Sequence, residues 1–148
     1  MSQLTLANAN SIIEGALAKA REMKLAPLAV VVVDAHGDTV AVQREDGASM
    51  FRVDIATGKA WASVGMDLPS RTLATRAKEH LNFFVSLAAT AHGKFLPQPG
   101  AVLIRDGSGK IIGAAGASGG TGDEDEAACI AGVQSAGLSS DPAEPTLP

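Results

Sequence analysis

The segment APLAVVVVD, residues 26–34, constrains the fold most because its apolar residues fall on both alternations of an extended chain. A strand of this kind must be covered on both faces of its sheet. The residues AHGD at 35–38 are typical of a turn, and TVAVQR at 39–44 returns as a second strand. Because the connection is short, the two strands form an antiparallel hairpin. We therefore expect a mainly antiparallel sheet whose apolar faces are covered by helices.

Helices are predicted wherever apolar residues recur every three or four positions. Four segments show this pattern, at residues 5–24, 49–65, 70–91 and 123–136. Thr5 and Ser49 are the candidate caps of the first two helices. The second helix is rich in alanine and glycine, which would let a neighbouring backbone come close. Residues 100–117 predict a second hairpin around the turn at 106–109.

This order of elements predicts an α+β sandwich rather than a doubly wound parallel sheet. The length of 148 residues suits one domain spanning residues 1–148. Its last part, GLSSDPAEPTLP at 137–148, contains three prolines and is expected to be a flexible surface tail.

Composition and charge exclude several classes of partner. The net charge is −4, the cations are scattered, and there is no tyrosine, so a nucleic-acid partner is not expected. No apolar run approaches the roughly 20 residues that cross a bilayer, so a membrane partner is not expected either. The N-terminal residues show no signal-peptide pattern, and the single cysteine, Cys129, allows no internal disulfide. We therefore expect a cytoplasmic protein in which Cys129 is a buried small apolar residue.

The stretch AAGASGGTGDEDEAACIAG, residues 114–132, runs from glycines into four consecutive acids. Acids at a helix start repel a phosphate, and the loop lacks the lysine of a nucleotide-binding loop, so it does not predict a nucleotide site. The acids complement the helix dipole, with Thr121 or Asp123 as the cap. Four successive acids on a helix point in different directions, so no metal site is predicted. The glycines also leave space for a small ligand at the strand end, contacted by Gly116, Ser118, Gly119 and Gly120.

The remaining candidates are cations and histidines. Lys59 lies in the small-residue helix, where it is either a solvated side chain or a point charge for a carboxylate. Arg44 and Asp46 close the first hairpin and could pair with each other. Arg71 begins the third helix, where a cation opposes the helix dipole, which indicates a partner. His80 and His92 have no zinc spacing, but one histidine suffices to ligate a haem iron.

Four motifs together resemble the GlcG/HbpS family, which includes the C-terminal domain of PduO-type proteins. They are LTLANANSIIEGALAKA, VVVVDAHGDTVAVQREDGA, ATGKAWAS and the segment from FLPQPG to QSAGL. The resemblance extends from about Leu4 to Leu138. It implies a profilin-like, three-layer α/β/α sandwich around an antiparallel sheet, homo-oligomers and haem binding.

The resemblance leads to a first hypothesis of a haem-binding protein, with haem as the cofactor. His80 or His92 would be the axial ligand, and Lys59 or Arg44 would meet a propionate. The second hypothesis is a small-molecule binding protein or enzyme of a catabolic pathway that acts on an organic acid. Its pocket would lie where Arg44, Lys59 and residues 116–120 converge, with Asp46 or Asp123 transferring a proton. A structural assembly unit is the third hypothesis.

Overall fold

The computed structural model describes residues 3–147 of the chain. Within this range the chain forms five helices and five strands. In chain order they are α1 (Leu6–Glu22), β1 (Ala29–Asp34), β2 (Thr39–Arg44), α2 (Phe51–Met66), α3 (Ser70–Glu79), α4 (Leu81–Thr90), β3 (Ala101–Arg105), β4 (Ile111–Ser118), α5 (Gly122–Ser135) and β5 (Ser139–Asp141). Both predicted hairpins are confirmed, as β1–β2 and β3–β4.

The strands form one sheet in the order β2-β1-β4-β3-β5, and every neighbouring pair is antiparallel. The valine-rich strand β1 lies inside the sheet, with β2 on one side and β4 on the other. Its residues Ala29 to Val33 are all fully buried. The register places Arg44 of β2 and Ser118 of β4 on either side of Ala29.

The two alternations of β1 face two different helix layers. Val30 and Val32 pack in the core beneath α1 and α5, whereas Val31 and Val33 pack against α2. This division explains why β1 is apolar on both alternations. The predicted α+β, three-layer α/β/α sandwich with a central antiparallel sheet is confirmed.

Small residues bring α2 into close contact with β4, as the sequence predicts. Gly116 lies directly under the helix, and a Cβ atom there would be 2.4 Å from the Ala56 carbonyl oxygen. Ala60 is on the same face, fully buried. The close approach brings the side chains of α2 to the C-terminal end of β4.

The predicted third helix is wrong in one respect, because it is interrupted at His80. This residue has φ −131° and ψ 55°, so α3 ends at Glu79 and α4 begins at Leu81. The change of direction lets Phe84 of α4 pack with Leu73 of α3 and with Phe95. One straight helix over both segments would not bring Phe84 of the apolar α4 into this cluster with Leu73 of the polar α3.

The predicted cap at Ser49 is also wrong. The helix begins at Phe51, with Met50 at the cap position and no side-chain hydrogen bond there. The Ser49 carbonyl oxygen accepts a hydrogen bond from the Arg52 backbone N–H instead. Thr5 does cap α1, where its hydroxyl accepts from the Asn8 backbone N–H at 3.0 Å.

The segment expected to be a flexible tail contributes a strand. β5 pairs with β3, which would otherwise be an exposed edge. Arg105 binds Asp141 at 2.9 Å, and the Gln134 side chain donates to the Ala143 carbonyl oxygen at 2.8 Å. Tertiary contacts therefore order residues whose local sequence indicates no strand. Residue 148 lies outside the described residues.

No helix within residues 3–147 has both the length and the apolar character needed to cross a membrane.

The contact between α2 and β4 leads to a prediction about Gly116. Gly116→Ala should lower the free energy of unfolding by about 1–3 kcal/mol, because the added methyl group overpacks against a backbone oxygen. Urea unfolding would measure the loss. Gly65→Ala is the matched control, since a Cβ at this helical position meets nothing within 4 Å. The control should be neutral or stabilising by up to about 1 kcal/mol. Equal effects of the two substitutions would contradict the packing explanation.

Candidate functional site

A buried ion pair joins three elements at the C-terminal end of β4. Lys59 of α2 and Asp125 of α5 are 5 % and 1 % exposed, and the Lys59 Nζ is 3.1 Å from the Asp125 Oδ2. The Lys59 ammonium also donates to the Ala117 carbonyl oxygen at 3.0 Å. The other carboxylate oxygen, Asp125 Oδ1, accepts the Gly120 backbone N–H at 2.9 Å. Thus the pair is hydrogen-bonded to both ends of the glycine loop.

Burial raises the pKa of Asp125 above its ordinary value. The positive charge of Lys59, the Gly120 N–H and the charge of Arg52 act in the opposite direction and lower this pKa. The Asp125 carboxyl is therefore a proton-binding group whose charge state depends on its cationic neighbours.

Cys129 lies deeper in α5 and is fully buried, as predicted. Its thiol donates to the Gly100 carbonyl oxygen at 3.6 Å. Burial raises the pKa of this thiol strongly, so that it is not a nucleophile at neutral pH.

The Lys59–Asp125 pair forms part of the floor of an open cleft of about 520 Å³, here called the Lys59 cleft. Its polar lining includes Arg52, Gln98 and Ser118, and its apolar lining is Ile55, Leu96 and Pro99. Arg52 is half-buried, and its Nη1 donates to the Ser118 hydroxyl at 3.2 Å.

The four acids at the start of α5 have separate roles. Glu124 forms a capping box with Thr121, whose hydroxyl accepts from the Glu124 backbone N–H. Asp123 and Glu126 both bind Arg71, and the Arg71 Nε lies 2.9 Å from Glu126. Only Asp125 points to Lys59. Of the two predicted caps, Thr121 and Asp123, the structure has Thr121. The prediction that Arg71 has a partner is confirmed.

The structure brings some of the predicted site residues together. Lys59, Ser118, Gly120 and Asp123 all line the Lys59 cleft. Asp123, however, is bound to Arg71 rather than facing the cleft without a partner.

Gly116 and Gly119 have packing roles at the edges of this region. Gly116 lies beneath α2, whereas a Cβ at Gly119 would be 2.2 Å from the Pro27 carbonyl oxygen. Neither glycine is among the residues that line the Lys59 cleft.

The expected convergence of Arg44 with Lys59 is wrong. Arg44 and Asp46 are exposed and line a different cleft, together with Leu17 and Arg21 of α1. The Arg44 Nη1 donates to the Ala48 carbonyl oxygen at 2.6 Å. The physical reason is the sheet order, because Arg44 lies on the edge strand β2, separated from β4 by β1.

The two predicted histidines lie in two further clefts, and both are exposed. His92 follows α4 with φ 56° and lines a cleft of about 670 Å³ that also contains His36. We call it the His92 cleft. His80 lines a cleft of about 400 Å³ with Met66, Phe83 and Phe84.

Sequence reasoning missed Arg52, Asp125 and the partner histidine His36. Arg52 could have been found, because it precedes Lys59 by seven residues and so lies on the same helix face. Asp125 could not have been singled out from its three acidic neighbours, since only tertiary structure selects the acid that meets Lys59. His36 is exposed in the turn between β1 and β2, and nothing local places it near His92.

A comparison with protein families matches residues 4–134 to the model described as haem degrading protein HbpS-like. Among curated proteins, the chain is 30 % identical over 131 residues to an uncharacterized 15.0 kDa protein of Citrobacter freundii from the dhaT-dhaS intergenic region. That match covers 84 % of this chain and 86 % of the Citrobacter protein.

Solved structures share the fold. The crystal structure of a PduOC:heme complex has a TM-score of 0.83 at 22 % identity, covering 93 % of this chain and 98 % of the other. A double mutant of Streptomyces reticuli HbpS has a TM-score of 0.77 at 27 % identity, covering 90 % of this chain and 87 % of the other.

The buried pair predicts a large loss of stability when one partner is removed. Lys59→Met should lower the free energy of unfolding at pH 7 by about 3–5 kcal/mol, because the Asp125 carboxylate is left buried without its counter-charge. In the double variant Lys59→Met, Asp125→Asn, most of this loss should be recovered, since asparagine is neutral and can still accept the Gly120 N–H. Denaturant unfolding of both variants measures the coupling.

The exposed pair Lys19–Glu22 provides the control for this cycle. Lys19→Met should cost no more than about 1 kcal/mol. A double variant as unstable as Lys59→Met alone would contradict the proposed coupling.

The effect of Lys59→Met should also depend on pH. Removing Lys59 removes an influence that lowers the pKa of Asp125, so this pKa rises further in the folded variant. The folded state then holds a proton that the unfolded chain has released above about pH 3.8. The stability that Asp125 contributes is present at low pH, and it is lost as the pH rises through the pKa of Asp125 in the folded variant. The destabilisation by Lys59→Met should therefore be smaller at pH 4.5 than at pH 7, and a pH-independent loss would contradict this.

Proposed function

The chain belongs to the HbpS-like family of haem degrading proteins, and on that premise we propose that it binds haem in the His92 cleft. The observation that carries the proposal is that His36 and His92, from distant parts of the chain, line one cleft with the Trp61 ring. The fold shared with the PduOC:heme complex supports it.

The His92 cleft has the size and the walls that haem requires. Its volume of about 670 Å³ lies within the range of roughly 300–1,000 Å³ that is usual for cofactor sites. Ile55, Trp61 and Leu96 supply apolar surface for the flat macrocycle. The residues that would contact haem therefore already line the same cleft.

Charges on the rim would orient the propionates. The Lys94 Nζ lies 5.9 Å from the centre of the Trp61 ring and lines the same cleft. Asp38 and Asp54 also line it and would repel a propionate. We therefore expect the propionates on the side of Lys94. The proposed propionate contact is thus Lys94, since neither Lys59 nor Arg44 lines this cleft.

Two imidazoles are available as axial ligands, and one would suffice to hold the iron. His92 stands in a tight turn after α4, and His36 stands in the turn between β1 and β2. When bound, haem supplies an iron centre for electron transfer or oxygen chemistry, while the chain supplies the ligand and the apolar walls.

The cleft of His80 offers an internal comparison. It is smaller, at about 400 Å³, and contains one histidine beside Phe83, Phe84 and Arg76. Because the two clefts share no lining residue, a histidine substitution in one should not affect ligand binding in the other.

The proposal predicts a specific pattern in a hemin titration followed in the Soret region. The wild-type protein should give a saturable spectral shift. The double variant His36→Ala, His92→Ala should lose this shift, because no imidazole then remains in the cleft. Circular dichroism should show an unchanged fold, since both side chains are exposed.

His80→Ala is the matched control and should titrate as the wild type does. A wild-type spectrum in the His36, His92 double variant would refute the proposed site. Loss of the shift in His80→Ala alone would move the site to the smaller cleft.

A further inference from the structure

We propose that the Lys59 cleft is a second ligand site, which binds the carboxylate of a small organic anion through Arg52 and Ser118. Apart from Ile55 and Leu96, which line both clefts, no residue of this cleft lines the His92 cleft.

Both acids that line the Lys59 cleft are paired with cations. Asp125 is bound to Lys59, and Asp123 is bound to Arg71. Arg52, in contrast, forms no ion pair with any residue between positions 3 and 147, and its bond to Ser118 is with a neutral hydroxyl. Arg52 is thus the cation of the cleft lining that is not held in an ion pair within residues 3–147.

The donors around Arg52 suit a carboxylate. The Ser118 hydroxyl accepts from Arg52 and donates to no acceptor within the described part of the chain, so that its proton is available. Ser118 is 1 % exposed and is therefore held in one place. A guanidinium beside a hydroxyl donor is an arrangement that favours planar carboxylates, with hydrogen bonds strengthened by charge.

The rest of the cleft determines the size and charge of the ligand. Ile55, Leu96 and Pro99 form an apolar wall suited to a short aliphatic chain. A dianion would find only one cation in the lining that is not already in an ion pair. The chemistry therefore favours a short-chain monocarboxylate.

The carboxylate can come from two sources. One is a free small acid. The other is a propionate of a haem in the adjoining His92 cleft, and this second source rests on the proposed function. Because Ile55 and Leu96 separate the two clefts, an experiment without haem tests the site itself.

The first arm of the test titrates the haem-free protein with butyrate at low salt and follows backbone amide chemical shifts. Saturable shifts at Ser118, Gly120 and Arg52 are expected, whereas butyramide, which lacks the charge, should give none. Arg52→Met should weaken butyrate binding by about 10- to 100-fold through the loss of charged hydrogen bonds. Arg52→Lys should fall between the two, because lysine keeps the charge and loses the planar fork.

Arg44→Met is the matched control, since Arg44 is exposed and lines another cleft. It should leave the butyrate affinity unchanged, and thermal melting should show that all variants are folded. Absence of saturable shifts, equal shifts with butyramide, or wild-type affinity in Arg52→Met would each overturn the proposal.

The second arm repeats the butyrate titration after hemin has been added. Loss of butyrate binding, together with weaker hemin binding in Arg52→Met, would identify a haem propionate as the occupant. Simultaneous binding of hemin and butyrate would identify a free acid. If the protein does not bind hemin at all, the haem proposal fails, and the first arm still decides the carboxylate site.

Discussion

The buried Lys59–Asp125 pair is the interaction on which the rest of the site depends. Removing two charges from water is costly, and their attraction offsets the cost only when geometry and additional hydrogen bonds are good. Here Ala117 and Gly120 supply those bonds from β4 and the glycine loop. Gly100 leaves the necessary room, because a Cβ there would be 2.6 Å from the Lys59 Nζ. The small residues of α2 and β4 are thus needed to place an ammonium group at the start of α5.

This pairing determines what is left for a ligand. Because α5 begins with four acids, a single cation nearby would be neutralised, yet Lys59 and Arg71 together bind Asp125, Asp123 and Glu126. Arg52 therefore forms no ion pair with these acids within residues 3–147, although its charge lowers the pKa of Asp125. The acids at the helix start bind Lys59 and Arg71 and leave Arg52 outside these ion pairs. Their role is therefore structural, unlike that of acids in a metal site or of amides in a phosphate loop.

Local sequence patterns predict the strands of the two hairpins and the helices that pack on the sheet. The valines of β1 and the turn residues after each first strand predict both hairpins, and periodicity predicts α1, α2 and α5. The break at His80 and the strand β5 could not be predicted in this way. The first depends on Phe84 reaching Phe95, and the second on β3 offering a free edge to Ser139–Asp141. Both are contacts between segments distant in sequence.

Those site residues that carry a local sequence signal could be predicted. Lys59, Ser118 and Gly120 were identified because a lysine among small residues and a glycine loop are visible in the sequence. The hairpin end points to Arg44 as a site residue, although the sheet order puts β1 between it and β4. Spacing along α2 distinguishes the two arginines, since only Arg52 shares a helix face with Lys59. A cation seven residues before a buried lysine is thus a better indication of a shared cleft than a cation at the end of a neighbouring hairpin, because a helix fixes the direction of both side chains while a hairpin end does not.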